Sequence, residues 1–277
     1  MKWNIILAIA KKDWLEVRQN TAAWLPMVIV PIVFVVLLPL LFLVVIPAMG
    51  ESASQSVTSD KDLLMFMQNL PPSMASALVG LDVNQSSIVL MLGYMFAPMF
   101  LILPIMFSTV VACESFAGER ERKTMEALLY TPASDGELFL GKVAAAAFPA
   151  LLITWVSFAL YVVIVNTVGY PLMGKIWFPL PTWWPLIFWI SPALAAIGIA
   201  VTVLISARVQ TFMGAYQTSA SLVVLVLALM IGQVSGVLYL SVEVGLLVGL
   251  IFWVIAAVLS YFAIHTFNRT ALLASKA

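Results

Sequence analysis

A phosphate-binding motif is the most direct sign of chemistry in this sequence. Residues 136–142 read GELFLGK, which is GxxxxGK, the opening of the loop that cradles nucleotide phosphates in ATPases. Such a loop follows a buried strand and ends in Ser or Thr, whose hydroxyl holds magnesium. Here the residues before it are TPASD, and Val143 then begins a long apolar run. We therefore predict that the match is coincidental and that this chain has no ATP site of its own.

Residue types that support other enzyme chemistry are scarce. The sequence has one cysteine, Cys113, and one histidine, His265. A single cysteine excludes an internal disulfide and a multi-cysteine metal site, and a single histidine excludes an HExxH metal site. The GxSxG motif of a serine nucleophile is also missing, which disfavours a membrane-embedded hydrolase or protease. We predict no catalytic residue, metal ligand or cofactor site in this chain.

The composition is that of a protein with several membrane-spanning helices. Only 9% of the 277 residues are charged, against about a quarter in a soluble domain, and the mean hydropathy is +1.09. Because the net charge is zero, no basic surface is available to neutralise nucleic-acid phosphates. The sequence therefore predicts an all-α polytopic membrane protein without a nucleic-acid partner.

Six stretches are apolar enough to cross a bilayer, whose hydrocarbon core takes about 20 residues of helix. They lie at about 23–47, 88–113, 143–166, 185–206, 218–240 and 243–265. Only a few residues near Glu243 separate the last two, so a re-entrant hairpin over 232–245 is an alternative there. Without an internal repeat or a second soluble domain, residues 1–277 are expected to form a single transmembrane domain.

The distribution of lysine and arginine predicts on which side of the membrane each loop lies. Six spans put both termini on one side, together with the loops after spans two and four. The basic residues on that side are Lys2, Lys11, Lys12, Arg18, Arg120, Arg122, Lys123, Lys142, Arg208, Arg269 and Lys276. The other side has only Lys61 and Lys175. We therefore expect both termini and the charged loop to be cytoplasmic, and the protein to lie in the plasma membrane.

The loop after span two combines both signs of charge at helical spacing. Glu119 with Lys123, and Arg122 with Glu126, are opposite charges at i,i+4, each pair worth about 0.3 kcal/mol in a helix. The loop contains no proline before residue 132. This pattern predicts a cytoplasmic helix over 114–130.

The end of this loop carries stop and start signals for helices. Thr131-Pro132 stops the first helix, and Ser134 with Glu137 forms a capping box that starts the helix entering span three. An apolar patch on the first helix comprises Met125, Leu128 and Leu129. Two interpretations are open: a solvated loop that only sets topology, or a helix that docks on a protein partner. A lipid surface would favour Lys and Arg alone.

The same segment resembles the signature of type-2 ATP-binding-cassette (ABC) exporter permeases. Their usual pattern is E-x-E-x-G-T-x-E-x-L-L-x-T-P, followed by E-L and G-K. Residues 119–132 read ERERKTMEALLYTP, followed by Glu137-Leu138 and Gly141-Lys142. Lys123 stands where glycine is common. The N-terminal stretch AKKDWLEVRQN and the later turn ISARVQTFMGAY (205–216) are also similar to the family, so the resemblance covers nearly the whole chain.

The resemblance implies a permease subunit that couples ATP hydrolysis by a separate ABC ATPase subunit to export. Two permeases would pair, as a homodimer or heterodimer, and ATP and magnesium would be held by the ATPases. The N-terminal amphipathic helix would act as a lever on the inner membrane surface. The helix after span two would be the coupling helix, with Glu119, Glu121, Arg122, Lys123 and Glu126 as its docking face and Met125, Leu128 and Leu129 as its packing anchors.

Polar residues within the apolar stretches are candidates for a translocation path, since such groups are costly to bury in a membrane. They are Asn166, Gln233 and Glu243. Hydrogen bonding between helices is the alternative for the two amides, and solvation at the outer surface is the alternative for Glu243. An ATP-independent channel or secondary carrier is the alternative function, although a carrier normally shows charges at mid-membrane and an inverted repeat. Peptide, lipid, drug and ion substrates are all compatible with the sequence.

Overall fold

Seven long helices account for most of the residues that the computed structural model describes, which are 2–48, 70, 75–124, 133–209, 211–235 and 238–266. The first, α1 (Trp3–Gln19), buries one face, and the other six are long and apolar enough to cross a membrane. These are α2 (Thr21–Val45), α3 (Asn84–Glu121), α4 (Asp135–Met173), α5 (Trp183–Ser206), α6 (Phe212–Val234) and α7 (Val242–Thr266). No strand occurs in the described ranges. The prediction of an all-α fold with six spans is confirmed.

The two longest helices extend well beyond the predicted spans 88–113 and 143–166. Helices α3 and α4 have 38 and 39 residues, or about 57 Å at 1.5 Å per residue, nearly twice the bilayer core of about 30 Å. The start of α4 was predicted from its cap: the Ser134 hydroxyl accepts from the Glu137 N–H, and the Glu137 carboxylate accepts from the Ser134 N–H. Both helices therefore project from the membrane as helices rather than as loops.

Helix α6 differs from the predicted span 218–240 at both ends. It begins at Phe212 because the Thr211 hydroxyl caps it by accepting from the Gly214 N–H at 3.2 Å. It ends at Val234, and residues 238–241 are not helical before α7 begins. The predicted span ran through this connection because its residues are apolar. One of them, Leu240, is buried.

Helices α3 and α5 form the centre of the bundle. Gly198 of α5 lies against α3, where an added Cβ would come within 2.5 Å of Ser108 Oγ and 3.2 Å of Thr109 Cγ2. A residue without a side chain allows the two backbones to approach closely, as is common between membrane helices. Helices α2, α6 and α7 bury much less of their surface and expose wide apolar faces. Such faces are suited to lipid or to another membrane subunit.

Part of α3, Val89–Met95, widens into a π-helix, a conformation that often marks functional regions. Three consecutive carbonyls in this stretch accept hydrogen bonds from side chains of three other helices. The bonds run from Tyr161 Oη to Leu92 O at 2.8 Å, from Trp183 Nε1 to Gly93 O at 2.6 Å and from Gln233 Nε2 to Tyr94 O at 2.6 Å. This level of α3 is thereby tied to α4, α5 and α6.

Candidate functional site

The charged residues lie together where α3 ends beside α1 and the start of α4. We call this end of the bundle, which contains Trp3–Gln19 and Glu114–Thr124, the charged end. Three of its carboxylates, those of Asp13, Glu114 and Glu119, belong to residues that are 1% exposed or less. Buried carboxylates are costly unless cations or hydrogen-bond donors surround them. The structure supplies both.

Lys142 of α4 is the cation at the centre of this network, and it is only 1% exposed. Its Nζ lies 2.5 Å from Glu119 Oε2 and 3.5 Å from Asp13 Oδ2, and donates to the Ser115 carbonyl at 2.7 Å. The Ser115 hydroxyl in turn donates to Asp13. Lys142 therefore joins α1, α3 and α4 at a point that solvent does not reach.

Lys12 of α1 contacts the same carboxylates from the more exposed side. Its Nζ contacts Glu119 directly and lies 3.3 Å from Asp13 Oδ1 and 3.1 Å from Glu16 Oε1. Burial disfavours the ammonium, but the hydrogen bond and charge of Glu119, with the charges nearby, raise the pKa of Lys12 well above its ordinary value. Oxygens of Asp13, Glu16 and Glu119 are close enough together to suggest a metal site. The Lys12 ammonium contacts all three and serves as their counter-ion.

Arg122 neutralises the third buried carboxylate, that of Glu114. Arg122 Nη1 lies 2.5 Å from Glu114 Oε1, and its Nη2 lies 3.0 Å from Glu16 Oε2 on α1. Asn20, which separates α1 from α2, donates from Nδ2 to Glu114 Oε2 at 2.7 Å. Both oxygens of Glu114 thus have donors, and the junction between α1 and α2 is attached to α3.

Two more charges in the last turn of α3 hold the ends of α5 and α6. Arg120 Nη1 donates to the carbonyls of Ser206 at 2.6 Å and Ala207 at 3.2 Å, where α5 ends. Glu121 Oε2 accepts from the Phe212 N–H at 2.8 Å, where α6 begins. A cation at a helix C-terminus and an anion at a helix N-terminus both suit the helix dipole. The sequence Glu119-Arg120-Glu121-Arg122 therefore connects one turn of α3 to α1, α4, α5 and α6.

The GxxxxGK stretch is helical rather than a loop, since residues 136–142 all lie within α4. Gly141 packs against α1, where an added Cβ would come within 2.8 Å of Ile9 Cβ. Lys142 binds carboxylates, as described above. In this structure the stretch packs α4 against α1, which supports the prediction that the motif is coincidental.

Helix α3 ends at Glu121, and Arg122 to Thr124 are not helical, so the predicted helix over 114–130 is wrong at these residues. The Thr124 N–H donates to Glu119 O at 3.0 Å and the Lys123 N–H donates to Arg120 O at 3.1 Å, which are the paired bonds of a Schellman motif. The motif needs a left-handed residue, and Lys123 has φ = 59°. Glycine adopts this conformation without strain. This is the position at which glycine is common in the pattern that the sequence resembles.

Replacing Lys123 with glycine is expected to raise the free energy of unfolding by about 1 kcal/mol. A left-handed L-residue costs about 1–2 kcal/mol, and the greater freedom of glycine in the unfolded chain offsets part of the gain. The measurement is the thermal unfolding midpoint of the detergent-solubilised protein. Lys175→Gly is the control, since Lys175 is exposed and has no positive φ. If the unfolding midpoint changed equally in the two variants, the left-handed conformation of Lys123 would not be the cause of the gain.

The structure describes four of the eight residues predicted to couple the chain to an ATPase. Glu119 is buried and faces Lys12 and Lys142 rather than the predicted Lys123, so its side chain is not exposed for docking. Glu121 and Arg122 make the bonds within the chain given above, and Lys123 is exposed. The remaining four lie outside the described residues: Met125, Glu126, Leu128 and Leu129. Docking of this segment on a partner stays a prediction.

Asn166, predicted as part of a translocation path, holds the connection between α4 and α5. Its Nδ2 donates to Phe178 O at 2.6 Å and Val162 O at 2.9 Å, and its Oδ1 accepts from the N–H groups of Trp177 at 3.1 Å and Phe178 at 3.2 Å. An amide side chain has two donors and two acceptor positions. All four are used within the chain, which favours the structural interpretation for Asn166.

The other two candidates for a translocation path lie in different settings. Gln233 is 1% exposed, and while its Nε2 binds the Tyr94 carbonyl, its Oε1 has no partner among the described residues. Glu243 is exposed in the first turn of α7, as expected for solvation at a surface. A role for either residue in translocation stays a prediction.

Sequence reasoning missed the partners of the charged motif, chiefly Asp13, Glu114 and Lys142. A signal was available, because Glu114 and Lys142 stand at the edges of long apolar runs and Asp13 lies in the charged stretch that precedes another. Ionisable residues in such places need partners of opposite charge. Acids and bases in three such places therefore indicate one shared cluster at the same end of a bundle.

A family model described as "ABC-2 family transporter protein" matches residues 7–274, which include every residue of the charge network. No match was found among curated proteins or among solved structures.

Proposed function

Because the chain belongs to the ABC-2 transporter family, we propose that it is the permease subunit through which a separate ATPase drives export of a substrate. The last turn of α3 carries this proposal. Its four consecutive charged residues contact four other helices. A loop that only sets topology needs basic residues but no such set of buried partners.

The geometry supports transmission of a movement from a docked partner into the membrane. Residues 125–132, which include four of the eight residues predicted to dock, follow Thr124, whose N–H is bonded to the last turn of α3. From that turn, short contacts lead to the adjoining ends of α1, α4, α5 and α6. Networks of hydrogen bonds and salt bridges between packed helices can carry energetic coupling from one helix to the next. A partner that displaces this segment would therefore act on four helices at once.

The partners follow from the same proposal. We infer that cytoplasmic ABC ATPase subunits bind at the charged end and hold the ATP and magnesium, and that the permease pairs with a second permease copy. The distribution of basic residues supports a cytoplasmic charged end, with both termini on that side and the protein in the plasma membrane. The wide apolar faces of α2, α6 and α7 support lipid and a second permease as neighbours.

The test is assembly with the ATPase subunit, sought first in a neighbouring reading frame. Truncating both leucines of the predicted anchor, Leu128→Ala with Leu129→Ala, is expected to reduce co-purification of the ATPase at least tenfold, since truncating a buried leucine costs about 2–5 kcal/mol. Glu126→Lys should leave assembly intact and lower ATP turnover several-fold, since a partly exposed ion pair is worth about 1 kcal/mol or less. Both variants should still insert and elute like the parent.

The matched control is a second pair of adjacent leucines, Leu246 and Leu247 on α7, which are 49% and 61% exposed. Changing both to alanine should leave assembly and turnover unchanged. If the Leu128 and Leu129 double variant behaved like this control, the segment would be only a topology-setting loop. Transport by the purified chain without any ATPase would instead favour the alternative, an ATP-independent channel or carrier.

A further inference from the structure

A groove of about 540 Å³ opens at the charged end between α5 and α7. Val201, Leu204 and Ile205 of α5 and Phe262 of α7 form its apolar walls, and Arg208 and Thr266 line it where the two helices end. The volume is within the usual range of small-molecule sites, about 300–1,000 Å³. The groove is therefore an apolar slot with one cationic residue at its end.

The two helices are in close contact at the opposite end. There an added Cβ on Gly249 would come within 2.2 Å of Trp189 Cδ1, and one on Gly245 within 3.3 Å of Pro185 Cβ. Trp189 Nε1 also donates to the Leu246 carbonyl at 3.1 Å. Glycines thus bring α5 and α7 together at that end, and the groove lies where the helices carry larger residues. Because both helices are membrane spans, the slot faces the acyl region beside one surface of the bilayer.

Arg208 is exposed, and within the described ranges no carboxylate pairs with it. The carbonyls at the end of α5 are held by Arg120 instead, so Arg208 is not needed to cap that helix. An arginine at the edge of an apolar groove suits a phosphate, because guanidinium and phosphate form paired charge-assisted hydrogen bonds. Anionic phospholipids combine that phosphate with an acyl chain for the apolar walls.

We propose that this groove binds an anionic phospholipid, with the headgroup phosphate at Arg208 and an acyl chain between Leu204 and Phe262. The observations that carry the proposal are the apolar walls, the position at the end of two membrane spans and the Arg208 guanidinium, which pairs with no carboxylate in the part of the chain that the structure describes. The inference concerns a resident lipid rather than the exported substrate. It therefore holds whether or not the chain is driven by an ATPase.

The test is native mass spectrometry of the full-length chain in detergent, titrated with phosphatidylglycerol or with phosphatidylcholine of the same acyl chains. Phosphatidylglycerol should occupy one site at about tenfold lower concentration, the effect of one charge-assisted contact. Arg208→Gln should abolish this preference, while Lys175→Gln, which removes an exposed lysine outside the charged end, should retain it. Leu204→Trp, which fills the groove, should reduce occupancy by both lipids.

Three results would overturn the proposal. A preference for phosphatidylglycerol that survives Arg208→Gln would place the lipid elsewhere. Inorganic phosphate that displaces phosphatidylglycerol at equal concentration would indicate an anion site without a lipid. Binding that appears only after removal of residues 267–277 would mean that the C-terminal segment fills the groove. Unchanged elution of Arg208→Gln on gel filtration establishes that the variant is folded.

Discussion

Replacing Lys142 with methionine is expected to destabilise the protein by about 3 kcal/mol, the usual result of removing one partner of a buried ion pair. Glu119 and Asp13 would lose their buried cation, while their own side chains stay out of reach of solvent and the remaining partner, Lys12, is partly exposed. Methionine is similar in length to lysine, so the loss would come from charge rather than from a cavity. The measurement is the fraction of monodisperse protein that survives heating in detergent.

A second change should distinguish charge imbalance from loss of packing. Adding Glu119→Gln to Lys142→Met removes the excess negative charge, so the double variant should be more stable than Lys142→Met alone. Lys175→Met is the control, because Lys175 is exposed, and it should change stability by less than about 0.5 kcal/mol. If Lys142→Met matched this control, the charge network would have no part in stability.

Replacing Gly198 with valine should strongly destabilise the contact between α3 and α5. The new side chain would begin with a Cβ only 2.5 Å from Ser108 Oγ, well inside van der Waals contact, and 3.2 Å from Thr109 Cγ2. Helices α3 and α5 would have to separate, and overpacking of this kind costs about 3 kcal/mol. Thermal unfolding and the yield of membrane-inserted protein would both report the loss.

The control for Gly198 is another helical glycine, Gly136 in the first turn of α4. Nothing lies within 4 Å of an added Cβ there, so Gly136→Ala should be neutral or stabilising by up to about 1 kcal/mol, the difference in helix propensity. A gain at both glycines would show that α3 and α5 do not depend on close approach at Gly198.

The fold could be predicted from sequence where one kind of interaction, such as the burial of apolar side chains in a bilayer, decides the outcome. Transfer of apolar side chains into a bilayer identifies six spans, and the capping box at Ser134 and Glu137 locates the start of α4 from neighbours in the chain. Errors arose where local polar contacts change the limits of a helix. The Thr211 cap starts α6 early, and the Schellman motif at Lys123 ends α3 early.

The charge network could not be predicted in the same way, because its members are far apart in sequence. Ser115 and Asp13 are 102 residues apart, and Arg122 and Glu16 are 106 residues apart. The i,i+4 rule that predicted a bond between Glu119 and Lys123 considers one helix alone. Lys12 on α1 and the buried Lys142 on α4 compete for the same carboxylate, and the burial of Glu119 strengthens their attraction to it. Tertiary contact therefore determined the pairing.

The three side-chain bonds to the π-helical part of α3 have a mechanical consequence. A slide of α3 along its axis would break the bonds at Leu92, Gly93 and Tyr94 together, whereas a tilt about their level need break none. That level is a pivot, and Glu119 lies about 39 Å from it at 1.5 Å per residue. A rotation of α3 by only about 5° about this pivot would displace Glu119 by about 3 Å. This exceeds the 2.5 Å separation of Glu119 and Lys142, so a small swing of one helix suffices to open the buried pair.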